Sequence, residues 1–234
     1  MDGEILSVDE VERLLSMISW DKPPSQPRFN FTVEDEEHPF VQLDKTVMRT
    51  LQTMHDRFAR RFTAQISKML QSVVDIRMTT VQQMYYNEFV FGFDSPSCFN
   101  LIEVELLTII KDLSYGKANI ILDISPVIAH PMIERILGGG REPTMTARRP
   151  LTNIEWKLTQ RIIDEFLYEL HVTWKDVANM KYTVAQQESN PQMISIKNNE
   201  PVVVLCFEVM LTERRGGMAI CIPVDLVRTL IEGE

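Results

Sequence analysis

The second half of the chain repeats the element order of the first half, and this repeat constrains the fold more than any other feature. Before residue 140, the spacing of apolar residues predicts a long helix, three strands and a short helix; after residue 150 the same five elements recur. The junctions match as well, since Pro126 and Pro223 each follow a third strand and open a short helix. Two such units predict a layered α/β body with an approximate internal two-fold.

The first repeat, residues 43–140, begins with a predicted long amphipathic helix. Its apolar face recurs every three or four positions and consists of Val47, Leu51, Met54, Phe58, Phe62, Ile66, Met69 and Val73. Strands are predicted over residues 76–84, 98–107 and 118–124. The short helix that follows is predicted to bury Ile128, Met132, Ile133, Ile136 and Leu137. Because Pro131 lies inside it, this helix either bends there or starts only there.

The second repeat, residues 151–234, opens with a capping box in which Thr152 and Glu155 satisfy each other's backbone amides. The apolar face of the helix that follows is predicted to be Ile154, Leu158, Ile162, Phe166, Leu170 and Trp174. Strands are predicted over residues 182–187, 202–211 and 217–222, with a turn over 213–217. The last helix is predicted to carry Val224, Leu226, Val227, Leu230 and Ile231 on its apolar face.

A tethered amphipathic helix is predicted ahead of the body, within residues 1–19. Ser7 and Glu10 form a capping box, Leu6 and Val11 a hydrophobic staple, and an apolar stripe continues through Leu14, Leu15 and Ile18. Such a short helix is marginal alone in water, so another surface must cover the stripe. Residues 20–42 are acidic and proline-rich, which predicts a disordered linker. The helix therefore docks either into a partner's groove or onto its own body, and periodicity favours neither.

Charge and hydropathy exclude several classes of protein. The chain has 24 Lys and Arg against 33 Asp and Glu, a formal net charge of −9, which argues against binding nucleic acid or anionic lipid by bulk charge. No apolar run approaches the roughly 18 residues needed to cross a bilayer, so we expect a cytoplasmic protein without direct membrane insertion. The first long helix has a basic face, which we expect to be solvated: Lys45, Arg49, Arg57, Arg60, Arg61 and Lys68.

Residues that could carry catalysis or bind a metal are scattered. Three cysteines lie in mostly apolar surroundings and are predicted to be buried free thiols: Cys98, Cys206 and Cys221. Four histidines lack metal-ligand spacing: His38, His55, His130 and His171. No acid/base pair can be assigned from the spacing of Asp94, Asp123, Asp164 and Glu165. The sequence therefore predicts no catalytic residues, no cofactor and no metal site.

The glycine run Gly138-Gly139-Gly140-Arg141 interrupts the chain between the two repeats. It ends a helix, whereas a phosphate-binding loop needs glycines that begin one, so it is not a nucleotide site. One interpretation is a left-handed helix stop that joins the repeats. Since three glycines exceed what one cap needs, the alternative is an exposed contact loop in which Arg141 serves as a charged anchor.

Five motifs in order resemble one family over essentially the whole chain. They are Leu6-Ser7-x-Asp9-Glu10-Val11-x-x-Leu14-Leu15, Asp56-Arg57-Phe58-Ala59-Arg60, Ile136-Leu137-Gly138-Gly139-Gly140-Arg141, Asn190-Pro191-Gln192 and Glu200-Pro201-Val202-Val203-Val204. This arrangement closely resembles the FliM family of flagellar motor switch proteins. The resemblance implies the fold of the CheC and CheX phosphatases, a pseudo-two-fold α/β/α layered domain, which agrees with the repeat.

The resemblance also implies a function in flagellar rotation and chemotaxis. It predicts a non-enzymatic component of the cytoplasmic switch ring, peripheral to the inner membrane at the flagellar basal body. Phosphorylated CheY would bind Leu6, Ser7, Asp9, Glu10, Val11, Leu14 and Leu15, and the rotor protein FliG would bind Gly138, Gly139, Gly140 and Arg141. Neighbouring FliM subunits are further expected partners, as is FliN, through a C-terminal domain that family members carry beyond the point where this chain ends.

Two departures from the family pattern bear on these expectations. Glu12 and Arg13 replace the usual Asp-Ala pair before the two leucines, and the glycine loop lacks a residue between its second and third glycines. The alternative function is a CheC/CheX-type phosphatase that acts on phosphorylated CheY. In those enzymes a helix carries an acidic or Ser residue, a Glu four positions on and an Asn three further. If Glu155 is that Glu, its partners here are Leu151 and Leu158, so hydrolysis is expected to be absent.

Overall fold

The structure is a computed structural model that describes residues 42–92, 95–107, 116–139, 149–194 and 199–231. The predicted docking helix within residues 1–19 lies outside these ranges, as does the linker up to residue 41. Gly140 and Arg141 also lie outside them. The boundaries predicted for the tail, the linker and the body therefore stay predictions.

The described chain contains the predicted helices and strands in their repeated order, together with one short helix, α2, that the sequence did not predict. The helices are α1 (Lys45–Leu70), α2 (Tyr86–Phe91), α3 (Pro126–Ile136), α4 (Asn153–Trp174) and α5 (Val224–Ile231), with a 3-10 turn over Pro191–Met193. The strands are β1 (Val74–Tyr85), β2 (Cys98–Leu106), β3 (Lys117–Ile124), β4 (Met180–Glu188), β5 (Pro201–Leu211) and β6 (Arg214–Pro223). Every predicted strand is confirmed to within three residues at each end. None of the helices among the described residues is long and apolar enough to cross a membrane.

The six strands form one antiparallel sheet in the order β1-β5-β6-β3-β2-β4. Exchanging the strands of the first repeat for those of the second reverses this order, as an internal two-fold requires. The axis passes between the central strands β3 and β6, where Leu122 lies opposite Ile220. Because β1 and β4 each cross into the other repeat's half of the sheet, neither repeat forms its half alone.

The long helices α1 and α4 obey the same two-fold. Phe58 and Phe166 meet edge to face with ring centroids 5.3 Å apart. Arg61 Nε donates to Glu169 Oε2 at 2.8 Å. The two residues of this pair are 108 positions apart in the sequence, as are the two phenylalanines. Contacts between equivalent residues are expected beside the two-fold, so this confirms the predicted symmetry in the helix layer as well as in the sheet.

Both faces of the sheet are buried, which makes the body layered and confirms the α/β class. On β5, Val203, Leu205 and Phe207 join the main core with α1, α3, α4 and α5. The alternate residues of the strand turn to the opposite face, as strand geometry requires. There the rings of Tyr86, Phe89 and Phe99 form a second, smaller aromatic cluster.

Three predicted core residues are instead exposed, each at the end of a helix. Val73 is 80% exposed because α1 stops at Leu70, where Gln71 takes a left-handed φ of 47°. Leu137 is 68% exposed just after α3, and Ile154 is 73% exposed in the first turn of α4. Apolar periodicity extends past the point where the neighbouring layer stops covering these helices. The prediction that all three are buried was therefore wrong.

The predicted turn over 213–217 was also wrong. The chain reverses over Thr212 and Glu213, since Leu211 already pairs with Arg214 across the β5–β6 hairpin. The following glycines belong to β6, where Gly216 leaves room for a helix side chain: a Cβ there would lie 2.3 Å from Ile128 Cγ1. The glycine marks a close approach of α3 to the sheet.

The basic face of α1 is solvated as predicted at Lys45, Arg49, Arg57, Arg60 and Lys68, which are exposed. Arg61 departs from that prediction because it is half-buried between the long helices. Besides Glu169, it donates from Nη2 to Thr173 Oγ1 at 2.6 Å. One basic residue of the face thus holds α1 to α4.

Candidate functional site

The glycine turn, defined as Leu137, Gly138 and Gly139, ends α3 and is exposed. Its backbone amides fold back on the helix: Gly138 N donates to Arg135 O at 3.0 Å and Gly139 N donates to Glu134 O at 2.9 Å. Gly138 has a φ of +82°, which favours glycine. The predicted left-handed stop is therefore confirmed at Gly138, whereas Gly140 and Arg141 lie outside the described residues.

The helix that carries the turn is fixed firmly on the sheet. It begins at Pro126 and continues past Pro131, so the predicted alternative in which the helix starts only at Pro131 is wrong. Ser125 N, just before the helix, donates to Gly217 O at 2.9 Å. Ile128 is fully buried against Gly216. The glycine turn is thus presented by an element with little freedom to shift.

An ion pair fixes the chain at Arg149, just before α4. Arg149 binds Glu155 through two bonds, Nη2 to Oε1 at 2.6 Å and Nη1 to Oε2 at 2.7 Å. Glu155 also accepts from Thr152 N at 2.7 Å, and Thr152 Oγ1 accepts from Glu155 N at 3.4 Å, which confirms the predicted capping box. Hydrogen bonds from Arg149 lower the pKa of Glu155 to about 2. The carboxylate therefore stays charged at neutral pH.

His130 on α3 joins this ion pair to the helix that carries the glycine turn. Its Nδ1 lies 3.6 Å from Glu155 Oε1, and its Nε2 lies 3.4 Å from Arg149 O. We call Arg149, Glu155 and His130 the clamp. Through the clamp, Arg149 attaches to both α3 and α4, while Gly139 is bonded to α3.

The structure brings together only part of the predicted site. Gly138 and Gly139 lie at the turn, and the seven residues predicted to bind the regulator lie outside the described residues. The clamp was missed from the sequence. The capping box signalled the position of Glu155, but the pairing with Arg149 across Pro150 and with His130 depends on tertiary contacts that no local spacing encodes.

The remaining polar groups do not assemble into a catalytic cleft within the described ranges. Ser97 donates to Asp123, and burial raises the pKa of this carboxyl to about 7, but both side chains are enclosed. An open groove of about 540 Å³ lies elsewhere, between α4 and β4, and holds neither residue. Over the same residues, no three His, Cys, Asp or Glu side chains converge as metal ligands. What the described surface offers is an exposed turn on a rigid support.

The histidines and cysteines also stay apart. His55 is fully buried, and its Nδ1 lies 2.8 Å from Leu51 O, while its Nε2 has no hydrogen-bond partner among the described residues. His171 pairs with Met180 O at 3.1 Å. The predicted buried free thiols are confirmed for Cys98, Cys206 and Cys221. Burial raises the pKa of these thiols, which makes them poor nucleophiles.

Sequence comparison matches residues 44–233 to the family described as flagellar motor switch protein FliM. The Treponema pallidum flagellar motor switch protein FliM is 31% identical over 235 residues, which cover 97% of this chain and 65% of that protein. This chain thus spans about two thirds of the length of that relative.

Structural comparison matches the body to two crystal structures from H. pylori. The FliM middle domain superposes with a TM-score of 0.70 at 29% identity, covering 82% of this chain and 100% of that one. A chain of the FliG–FliM complex superposes with the same TM-score at 30% identity, covering 82% of this chain and 98% of that one.

Proposed function

The chain belongs to the FliM family of flagellar motor switch proteins, and from that premise we propose that it works in the switch ring at the cytoplasmic side of the flagellar basal body. It acts by binding partners rather than by chemistry of its own. Two features support this. The family match covers residues 44–233. The glycine turn is exposed, has a positive φ at Gly138, and ends a helix that packs closely on the sheet. Neighbouring FliM subunits and FliN complete the proposed assembly.

FliG binds at Gly138, Gly139, Gly140 and Arg141. The observation that carries this assignment is the glycine turn itself, which lacks side chains at two positions and so lets a partner backbone approach closely. The H. pylori complex supports FliG as the partner, because a chain 30% identical to this one is there described with FliG.

The test measures binding of FliG from the same organism to the full chain and to the variants Gly139→Asp and Arg141→Glu. Each variant should weaken binding at least tenfold. Gly217→Ala is the matched control, since a Cβ at that glycine meets nothing within 4 Å, and it should bind like the native chain. Native affinity in both loop variants would remove the loop from the interface.

Phosphorylated CheY binds the tail through Leu6, Ser7, Asp9, Glu10, Val11, Leu14 and Leu15. The capping box and apolar stripe support this, as a tethered helix needs a groove to bury the stripe. Regulator binding can bias rotation only as far as its affinity differs between two states of the ring. A peptide of residues 1–18 should bind phosphorylated CheY more tightly than unphosphorylated CheY. Equal, negligible binding of both forms would exclude the tail.

Phosphatase activity is the rival function, and the surroundings of Glu155 argue against it. Its carboxylate is occupied by Arg149 and Thr152, and the positions expected to hold its catalytic partners are Leu151 and Leu158. The purified chain should leave the lifetime of phosphorylated CheY unchanged. Faster loss of phosphate, abolished by Glu155→Ala, would overturn the binding-only proposal.

A further inference from the structure

The exposed face of α1 carries a row of cations that the internal two-fold does not repeat. Arg49, Arg57 and Arg60 are exposed, and none of them forms an ion pair with another described residue. On α4, the positions equivalent to Arg57 and Arg60 hold Glu165 and Tyr168. The positive charge is therefore specific to α1 and is not needed to build the two-fold core.

Helix geometry places these cations along one side of α1, beginning at its first turn. Arg49 and Arg60 are eleven residues apart, which is about three whole turns, so they lie on one line about 16 Å long. Lys45 precedes Arg49 by four residues and extends the line, and Arg57 lies beside Arg60 at the i, i+3 spacing. We call Lys45, Arg49, Arg57 and Arg60 the basic row.

An acidic run, Glu34-Asp35-Glu36-Glu37, precedes the basic row in the sequence and lies outside the described residues. Its four carboxylates match the four cations of the row in number and are opposite in charge. A short tether gives such a segment a local concentration in the millimolar range, which a separate partner reaches only at high concentration. Charge complementarity and the short tether therefore favour the run of the same chain as the occupant of the row.

The length of the connection decides which cations the run can reach. Leu43 N donates to Gln83 Oε1 at 3.0 Å, which ties the chain to the body just before α1. From Leu43, an extended chain places the centre of the run at most about 25 Å away and its far end at most about 30 Å away. At 1.5 Å per residue, Arg60 lies about 22 Å from the first residue of α1, and Lys68 lies about 34 Å from it. The run therefore reaches the whole basic row but stops short of Lys68.

We propose that the acidic run folds back along α1 and docks on the basic row. The inference does not depend on the proposed binding of FliG or CheY. Exposed ion pairs are weak one by one and are screened by salt, so the four together hold the run at low ionic strength and release it at high ionic strength. Docking covers the one long cationic surface of α1 within the chain, and so limits its attraction for anionic partners such as lipid or nucleic acid.

The experiment measures single-molecule energy transfer in the full chain between dyes attached through Val33→Cys and Val73→Cys. Val73 is 80% exposed beyond the end of α1, and the three native cysteines are buried, so the dyes attach at the introduced positions. Transfer should be efficient at about 0.02 M salt and should fall at least twofold at about 0.5 M salt. Arg60→Glu should lower the transfer at low salt. Lys68→Glu is the matched control, the same charge reversal beyond the reach of the run, and should leave the transfer unchanged.

A charge swap separates docking from a general effect of net charge. Replacing all four residues of the run by Lys should abolish the efficient transfer. Combining this change with a reversal of the whole basic row should restore it, through the changes Lys45→Glu, Arg49→Glu, Arg57→Glu and Arg60→Glu. Transfer that ignores salt and these charges, a swap that does not restore it, or an equal loss with Lys68→Glu would overturn the proposal. A loss of transfer on adding excess unlabelled chain would assign the run to a second copy and would overturn it as well.

Discussion

The two long helices are related by the internal two-fold, yet they begin in different ways. At the start of α1, Asp44 accepts from Thr46 N at 2.6 Å and is exposed. At the start of α4, Glu155 closes a capping box and also binds Arg149 and His130. The extra contacts join α4 to Arg149 and to α3, the helix that ends in the glycine turn, so the start of α4 does more than begin a helix.

The short helices α3 and α5 both bury an apolar face, and α3 leads into the exposed glycine turn. The residues that the two repeats share form the core, whereas the glycine turn and the clamp lie at the junction between the repeats. The comparison teaches that the repeat explains the stability of the body, while departures from the repeat indicate where partners bind.

The largest expected effect tests the shared part. Phe58 and Phe166 are equivalent residues in contact, so Phe58→Ala and Phe166→Ala should each lower the free energy of unfolding by about 4 kcal/mol. Urea denaturation measures this, and Tyr168→Ala, at a residue 60% exposed, should change little. A loss confined to one of the two phenylalanines would contradict the symmetry of the core.

A smaller effect concerns a polar residue that breaks the repeat inside the core. His55 stands three residues before Phe58, where α4 has the buried Ile163. Burial lowers the pKa of His55 to about 4. The unfolded chain, with an ordinary pKa of about 6.5, binds the proton first, so stability is lost as the pH falls below that value.

Asp123 should act in the opposite direction. Its folded pKa of about 7 exceeds the ordinary carboxyl value, so its contribution falls as the pH rises towards 7. The quantity to compare is the free energy of unfolding of each variant minus that of the native chain, measured between pH 4.5 and 7. As the pH rises, this difference should decrease for His55→Ile and increase for Asp123→Asn. Each change should amount to about 3 kcal/mol at most. Parallel curves for all three proteins would refute the assignment.

The seating of α3 gives the next effect. Gly216→Ala forces a methyl group against Ile128, so we expect a loss of about 2 kcal/mol from overpacking. Gly217→Ala adds its methyl group in open space and should not show this loss. Combining Gly216→Ala with Ile128→Ala should cost less than the sum of the single changes. Additive losses would mean that the two residues do not compete for space.

The smallest effect compares the two helix starts directly. Glu155→Gln should cost only about 0.5 to 1 kcal/mol, because water screens the partly exposed ion pair. It should nevertheless weaken FliG binding severalfold, since the clamp would no longer hold the chain at Arg149. Asp44→Asn removes the corresponding charge from α1 and should leave FliG affinity unchanged. Equal effects of both variants on binding would erase the distinction between the helix starts.

Much of the fold could be predicted from the sequence because local patterns encode it. The strands predicted from runs of β-branched and apolar residues, and the Thr152–Glu155 capping box, agree with the structure within a few residues. Helix α2 was missed since its six residues are too few for a periodic signal. Gly216 misled the prediction because glycine favours a turn locally, whereas here it makes room for Ile128.

The candidate site could be predicted only in part. A run of glycines after a helix is a local signal, and Gly138 takes the left-handed conformation expected of it. The clamp joins residues from α3, α4 and the segment before α4, so only the packing of those elements reveals it. The exposure of Leu137 and Ile154 could not be predicted either, because periodicity identifies the apolar face of a helix but not where the neighbouring elements stop packing on it.

The central claim is that FliG binds at the glycine turn and the clamp, between the two repeats. Hydrogen–deuterium exchange of the full chain, with and without FliG, tests this claim most directly. FliG should slow exchange at the amides of residues 137–139 and 149–155, and leave those of α2 unchanged. Protection confined to α2 and the 3-10 turn, or no protection near the glycine turn despite binding, would contradict the account.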